Sequence, residues 1–457
     1  MAIRHSSRTT PPRRFRPQVE VLESRLPLAG SVTAVQDGGN LFIEGDDDFN
    51  HLWITGNGEG SFVVEGAATY VNGQWGASLS FSGVSNIYMN MRGGDDRAAF
   101  SQTKLPGTFV FRGGDGNDDL RFDWDEVGDH SFGRFLAFMG AGDDTISALE
   151  EKSFTVRQSF VVHGGHGNNL IDLRTENSLT LGSVAVVGGR DNDLVILSEG
   201  TTSTRSIVMI GGDGYNKIQW LGNVNIDGYV IQTGGSGQDV FGPLAFTRKP
   251  NLIGGPVLLQ LGDGYNDVAF HGSTNIAGTL QMTSGSGDDE FIAFDSFFED
   301  QNDHFAAREG VLDLGDGENV VSFTQESSEI QSLSVVTGSG LDRFNFYDVV
   351  ALGQITLNAG AGDNRLKIIN SEFFAPFSWL SSGGKDWVIV ECSQADDGRG
   401  TRFRASVFFS LGDGDDLLWV GAFDPLDSLE FESSVVFGGG LGNDTYATEG
   451  LAEYAFP

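Results

Sequence analysis

The sequence predicts an all-β protein, a parallel β-helix of about fifteen or more coils, and three observations carry that prediction. A short glycine corner, G-x-G-x-[Asp/Asn], recurs fifteen times with minor variations between Arg92 and Tyr446. The corners lie 22 to 30 residues apart and average close to 25, the length of one solenoid coil. Apolar residues alternate on both sides of each corner, the period-two signature of a strand with one buried face.

Each coil reads in the same order. An apolar strand such as Ile207–Ile210 or Val407–Phe409 comes first. The corner follows, anchored on its second glycine at Gly94, Gly116, Gly142, Gly167, Gly214, Gly237, Gly264, Gly287, Gly317, Gly340, Gly362, Gly384, Gly414 and Gly442, with Arg190 breaking the column. Glycine supplies the positive φ that a tight corner needs. Two residues on stands Asp or Asn in every copy: Asp96, Asp118, Asp144, Asn169, Asn192, Asn216, Asp239, Asn266, Asp289, Asn319, Asp342, Asn364, Asp386, Asp416 and Asp444. These side chains bond to nearby backbone N–H groups and tolerate left-handed geometry.

A second strand then alternates, as in Leu120 and Phe122 or Phe344 and Phe346, before a polar return such as 271–276. Coils joined this way stack with parallel strands, so the expected hand is right and the expected rod is on the order of 75 Å long. The 35 phenylalanines suit inward columns of stacked rings.

Composition narrows the function. Residues 1–26 hold six Arg and two Glu, which leaves 22 basic and 61 acidic residues in the rest. Such a body repels nucleic acid and anionic lipid and attracts cations or basic partners. No run of eighteen apolar residues exists, so no helix spans a membrane. The single Cys392 excludes an internal disulfide. Three parts follow: a disordered basic segment at 1–30, a β region opening the solenoid at 31–92, and the repeat domain at 93–457.

From Asn216 the corner column alternates Asn and Asp strictly through Asp386, while the residue before the anchor alternates in opposite phase: Asp213, Ser236, Asp263, Ser286, Asp316, Ser339. Like charges one rung apart repel, and two rungs approach the Debye length. An Asn amide between two carboxylates also donates hydrogen bonds to them, so this stretch reads as a metal-free ladder, with cation sites bridging successive turns as the alternative. At the ends, Asp96, Asp118 and Asp144 are consecutive, as are Asp386, Asp416 and Asp444, with Asp115, Asp143, Asp413 and Asp415 close by. Those end clusters are the expected places for a cation.

Two resemblances add to this reading. The corners resemble the RTX nonapeptide G-G-x-G-x-D-x-U-x, matched in full at 113–121, 234–242 and 439–447. That resemblance implies Ca²⁺ held between successive turns by Asp118, Asp239 and Asp444, with Leu120, Phe241 and Tyr446 as apolar anchors. RTX nonapeptides follow one another directly, however, whereas here one corner occurs per coil. Near the amino terminus, Leu22-Glu23-x-Arg25-Leu26-x-Leu28 resembles the LEPR-XLL segment of exported planctomycete-type bacterial proteins, with Ser24 in the place of proline. It implies a secreted or cell-surface location.

Catalytic motifs are absent from the sequence: there is no nucleophile elbow, phosphate loop or HExxH. His163 and His166 are the one close histidine pair and sit at a corner; Arg343 and Lys385, the candidate lyase bases, have no supporting partners in the pattern. The expectation is a non-catalytic scaffold or adhesin, stabilised by Ca²⁺ at Asp-rich corners. Its partners would be surface polysaccharide or other envelope proteins, and end-to-end self-association is a further expectation. The alternative is a carbohydrate-active β-helix enzyme, a lyase or glycosidase, with its site on the irregular loops at 123–129, 247–250, 295–308, 392–404 or 421–432.

Overall fold

A computed structural model describes residues 30–122, 128–149, 152–197, 201–221, 224–244, 251–294, 305–392, 400–422 and 429–449. The basic amino-terminal segment, and with it the LEPR-XLL-like stretch, lies outside them. So do residues 123–127, 245–250, 295–304, 393–399 and 423–428, which make up most of the irregular loops.

The described chain is all β, with no helix. Parallel stacked coils build a β-solenoid of about 13 turns, roughly 24 residues per turn, close to the predicted coil length. Each turn contributes to three ladders, named here by their place around the corner. The entry sheet precedes the corner, the exit sheet follows it, and the return sheet leads back to the next coil. In the exit sheet, for example, Asn216–Leu221 pairs in parallel with Asp239–Leu244, and that strand with Asn266–His271.

The first turn is entered through hairpins. Ser31–Asp37 runs antiparallel to Asn40–Glu44, and His51–Gly56 antiparallel to Phe62–Gly66. Asn40–Glu44 and His51–Gly56 then pair in parallel with Asn86–Gly93 and Arg97–Ser101. The region 31–92 thus both covers the first rung and belongs to the stack, which a repeat array needs at its end.

Alternation decides the core. Phe344, Phe346, Leu366, Ile368, Val388 and Val390 point inward and are fully buried, while Arg343, Asn345, Arg365, Lys367, Trp387 and Ile389 between them face out. Rings from successive coils stack: Phe373 lies 4.8 Å from Phe403 with planes 7° apart, and Phe403 lies 5.1 Å from Phe431 at 3°. Offset stacking of this kind adds about 0.5–1.5 kcal/mol per pair beyond area burial.

Glycine at the anchor is a matter of space. Gly116 has φ 125°, and a Cβ there would lie 2.2 Å from the carbonyl oxygen of Gly94 one coil below. Gly142 meets the oxygen of Gly116 at the same 2.2 Å, so the corner is a column of glycine on glycine.

One assignment from the sequence is corrected. The strand register pairs Asn169 with Asp193, and Asp193 with Asn216. Asp193, not Asn192, occupies the column, and Asp191, not Arg190, fills the anchor slot. The two frames differ by one residue, and one residue reverses a side chain's face. Asn192 is exposed accordingly. Strict Asn/Asp alternation therefore runs over ten coils, from Asn169 to Asp386.

Candidate functional site

The corner separates its carboxylates into an inner and an outer set. Asp96, Asp118, Asp144, Asp239, Asp386 and Asp416 are buried to 2% exposure or less. Asp115, Asp143, Asp413 and Asp415 are exposed, and Asp444 is half-buried. The clusters expected at the two ends are therefore divided between core and solvent.

The inner column is a hydrogen-bond ladder in two runs. In each, the backbone N–H of a column residue donates to Oδ1 of the residue one coil further on: Asn50 to Asp96 at 2.7 Å, Asp96 to Asp118 at 2.9 Å and Asp118 to Asp144 at 2.8 Å. The pattern continues from Asp386 to Asp416 at 2.8 Å and from Asp416 to Asp444 at 3.3 Å. Between the runs, the N–H groups of Asn169, Asp193 and Asn216 donate to the backbone carbonyls of Asn192, Tyr215 and Gln238. Carboxylate and amide oxygens serve equally as acceptors, since Asp239 N–H donates to Asn266 Oδ1 at 3.2 Å.

What distinguishes Asn is its second atom. Nδ2 of Asn216 donates to the carbonyl oxygen of Gly212 at 3.0 Å, within its own corner. Nδ2 of Asn319 donates both to Gly315 O at 3.3 Å and to Asp342 Oδ1 at 2.9 Å. In Asp96, Asp118, Asp144, Asp289, Asp342, Asp386 and Asp416 the equivalent atom is Oδ2, buried and without a hydrogen-bond partner. An ionised carboxylate can only accept, so it cannot do there what the amide does.

Burial accordingly raises these acids. It pushes Asp96 up to about 8 and Asp118, Asp144 and Asp239 to about 7, against the pull of the hydrogen bonds they accept. Asp289 and Asp386 reach only about 6; burial is again the main cause, but the nearby hydroxyls of Ser284 and Ser381 hold them lower. Thr337 stands in the same relation to Asp342, whose pKa is also raised by burial. These hydroxyls, five residues before the column, were missed in the sequence. They accompany Asp, whereas Leu261, Leu314 and Ala359 hold the same place in the Asn coils.

The outer carboxylates form further ladders. Asn117 N–H donates to Asp95 Oδ1 at 2.8 Å, Asp143 N–H to Asn117 Oδ1 at 2.7 Å and Asn168 N–H to Asp143 Oδ1 at 2.7 Å. Asn192 belongs here, its N–H donating to Asn168 Oδ1 at 3.2 Å and its Oδ1 accepting from Tyr215 N–H at 2.8 Å. Asp213, Asp263 and Asp316 each accept from both the N–H and Oγ of the serine one coil on: Ser236, Ser286 and Ser339. Those bonds hold all three acids below the ordinary carboxylate range. Asp413 and Asp415 accept from the N–H groups of Leu441 and Asn443.

Calcium takes six to eight oxygens converging on one point. Most inner carboxylates offer a single unpartnered oxygen and Asp239 two, and Asp118 Oδ2 sits 2.1 Å from where a Cβ of Gly113 would stand. The oxygen thus occupies the space that the missing side chain frees. Among the described residues, no three or more His, Cys, Asp or Glu are grouped to hold a metal ion. The inner column alone does not supply a calcium sphere. His163 stacks on Phe138, centroids 5.0 Å apart and planes 3° apart, and the exposed His166 lies at the corner.

Comparison with protein-family models, curated proteins and solved structures gives no match for this chain.

Proposed function

We propose that the chain is a non-catalytic β-solenoid, secreted or at the cell surface, serving as a rigid scaffold or adhesin. One observation carries this reading: the corner carboxylates are used as hydrogen-bond acceptors joining coil to coil, rather than paired across a groove. Hydrolysis of a glycoside needs two carboxyls facing each other across the substrate, and successive column acids instead stand above one another. The surface location rests on the LEPR-XLL-like segment. Partners in this reading are surface polysaccharide or envelope proteins. An apolar cleft of about 530 Å³, lined by Leu418, Val420, Val435, Phe437 and Tyr446 among others, offers a place for end-to-end packing of a second rod.

Incubation of the full chain with acidic and neutral polysaccharides tests the central part. No new reducing ends and no unsaturated products are expected, and turnover of any of them would replace the scaffold with the enzyme reading. Sedimentation velocity over a concentration series tests self-association: a single monomer boundary throughout would remove it.

A further inference from the structure

The exit sheet carries a patch whose charge is opposite to that of the rod. The register brings Arg343, Arg365 and Trp387 onto three successive rungs of one outward column, with Lys367 on the next column beside them. Inward neighbours Phe344, Leu366 and Val388 are buried, so these side chains face solvent. Trp387 is 36% exposed, an unusual place for an indole. The Arg365 guanidinium lies 5.0 Å from its ring centroid and the Lys385 ammonium 5.6 Å.

Many of the other described arginines are ion-paired. Arg97 and Arg121 share Asp119, Arg174 holds Asp172, and Arg404 holds Glu372 and Glu432. Within the patch, Lys367 pairs with Glu391 at 2.9 Å and Arg343 reaches Glu318 at 3.7 Å. Arg365 and Lys385 make no ion pair among the described residues; both rest on Trp387 instead. Two cations held against an exposed ring, on a chain with net charge −35, are placed for an anion from outside.

We propose that this face, centred on Trp387, Arg365 and Lys385, binds an anionic polysaccharide whose sugars carry carboxylates. The assignment rests on the adhesin reading above and names its ligand class. An indole face packs against the C–H face of a pyranose, and a guanidinium takes a carboxylate through two parallel N–H bonds. Rungs about 4.8 Å apart repeat at close to the length of one sugar, so a glycan lying along the rod meets a new rung with each residue. A nucleic acid strand also offers rings and negative charge. Its denser charge is disfavoured by the surrounding carboxylates, Glu318 and Asp363 among them.

Isothermal titration calorimetry on the full chain tests this with hexagalacturonate, a neutral β-linked glucose hexamer and an oligothymidylate. Hexagalacturonate is expected to bind, less tightly as salt is raised, with the neutral hexamer and the oligonucleotide far weaker. Trp387→Ala and Arg365→Gln should each weaken binding about tenfold with unchanged melting, since both side chains are exposed. Phe138→Ala, on the entry sheet, should leave binding unchanged. Absent binding of hexagalacturonate, equal binding of the oligonucleotide, or an unaffected Trp387→Ala variant would each overturn the assignment. Failure to bind leaves the scaffold reading standing, whereas cleavage of the hexamer is what removes that.

Discussion

Asn266 grips Asp289 with two donors at once. Its backbone N–H and its Nδ2 lie 3.0 and 2.8 Å from the same Oδ1, one coil further along the rod. Nδ2 also reaches the carbonyl oxygens of Gly262 and Gly264 in its own corner, at 3.2 and 3.3 Å. One amide therefore closes a corner, fastens it to the next, and places a donor beside a buried carboxylate.

Asn266→Asp removes Nδ2, keeps the backbone N–H, and sets a third acid between Asp239 and Asp289. A buried acceptor left unpaired costs about 1–3 kcal/mol, more when charged. The variant should lose at least that much stability at about pH 8, as read by urea unfolding, and recover part of it on acidification as the new carboxyl protonates. Equal losses at both pH values would contradict the role given to Nδ2.

The reverse exchange should stabilise. Asp118→Asn puts an amide where Oδ2 now has no partner, with a donor that can serve the corner as Nδ2 of Asn216 does. A gain of about 1–2 kcal/mol is expected above neutral pH and little below about pH 5. Urea unfolding of wild type and variant at the two pH values makes the comparison.

Ser284→Ala tests the hydroxyls that accompany Asp. Without Ser284, Asp289 should titrate above its present value of about 6, toward the level of Asp239 at about 7. The carboxyl ¹³C shift of Asp289, followed through a pH titration, reports it directly. An unmoved midpoint would show that the hydroxyl does not act on the acid.

Gly116→Ala tests the corner column. The Cβ would stand 2.2 Å from Gly94 O at a φ of 125°, so backbone must move in two coils. Strain of this kind costs on the order of 1–3 kcal/mol or more, and a melting point equal to wild type would argue against the stacked-glycine geometry.

Much of the fold was legible because a coil repeats local instructions. Glycine at Gly116, an acceptor at Asp118 and alternation through Leu120 and Phe122 each act within a few residues, and fifteen copies average out local noise. The Asn/Asp alternation was legible for the same reason. It broke at one corner, where Gly188–Asp193 admits two frames and only pairing with the coils on either side selects Asp193. Ser284 and Asp289 lie on opposite arms of a corner, so their relation needed the turn to be drawn, although the matching alternation of Ser284, Thr337 and Ser381 with Leu261, Leu314 and Ala359 was there to be read. The division of Asp143 from Asp144, one outside and one inside, is likewise a matter of which way a strand leaves its corner. Arg365 and Trp387 are 22 residues apart in sequence, and nothing short of the register places one over the other.

The central claim is that the inner column is a proton-dependent hydrogen-bond ladder and not a row of ion sites. A carboxyl raised by folding stabilises fully below its unfolded pKa and loses that contribution as pH rises through its folded value. The loss begins near the unfolded pKa of about 4 and is complete near 6 for Asp289 and Asp386, near 7 for Asp118, Asp144 and Asp239, and near 8 for Asp96. Thermal unfolding of the full chain by circular dichroism, at about pH 5 and about pH 8, in EDTA and across a Ca²⁺ series with Mg²⁺ as control, measures this directly. The ladder predicts a lower melting temperature at the higher pH and no selective response to Ca²⁺ at either. A melting temperature that climbs with Ca²⁺ alone at the higher pH, and loses that climb in Asp118→Asn, would contradict it.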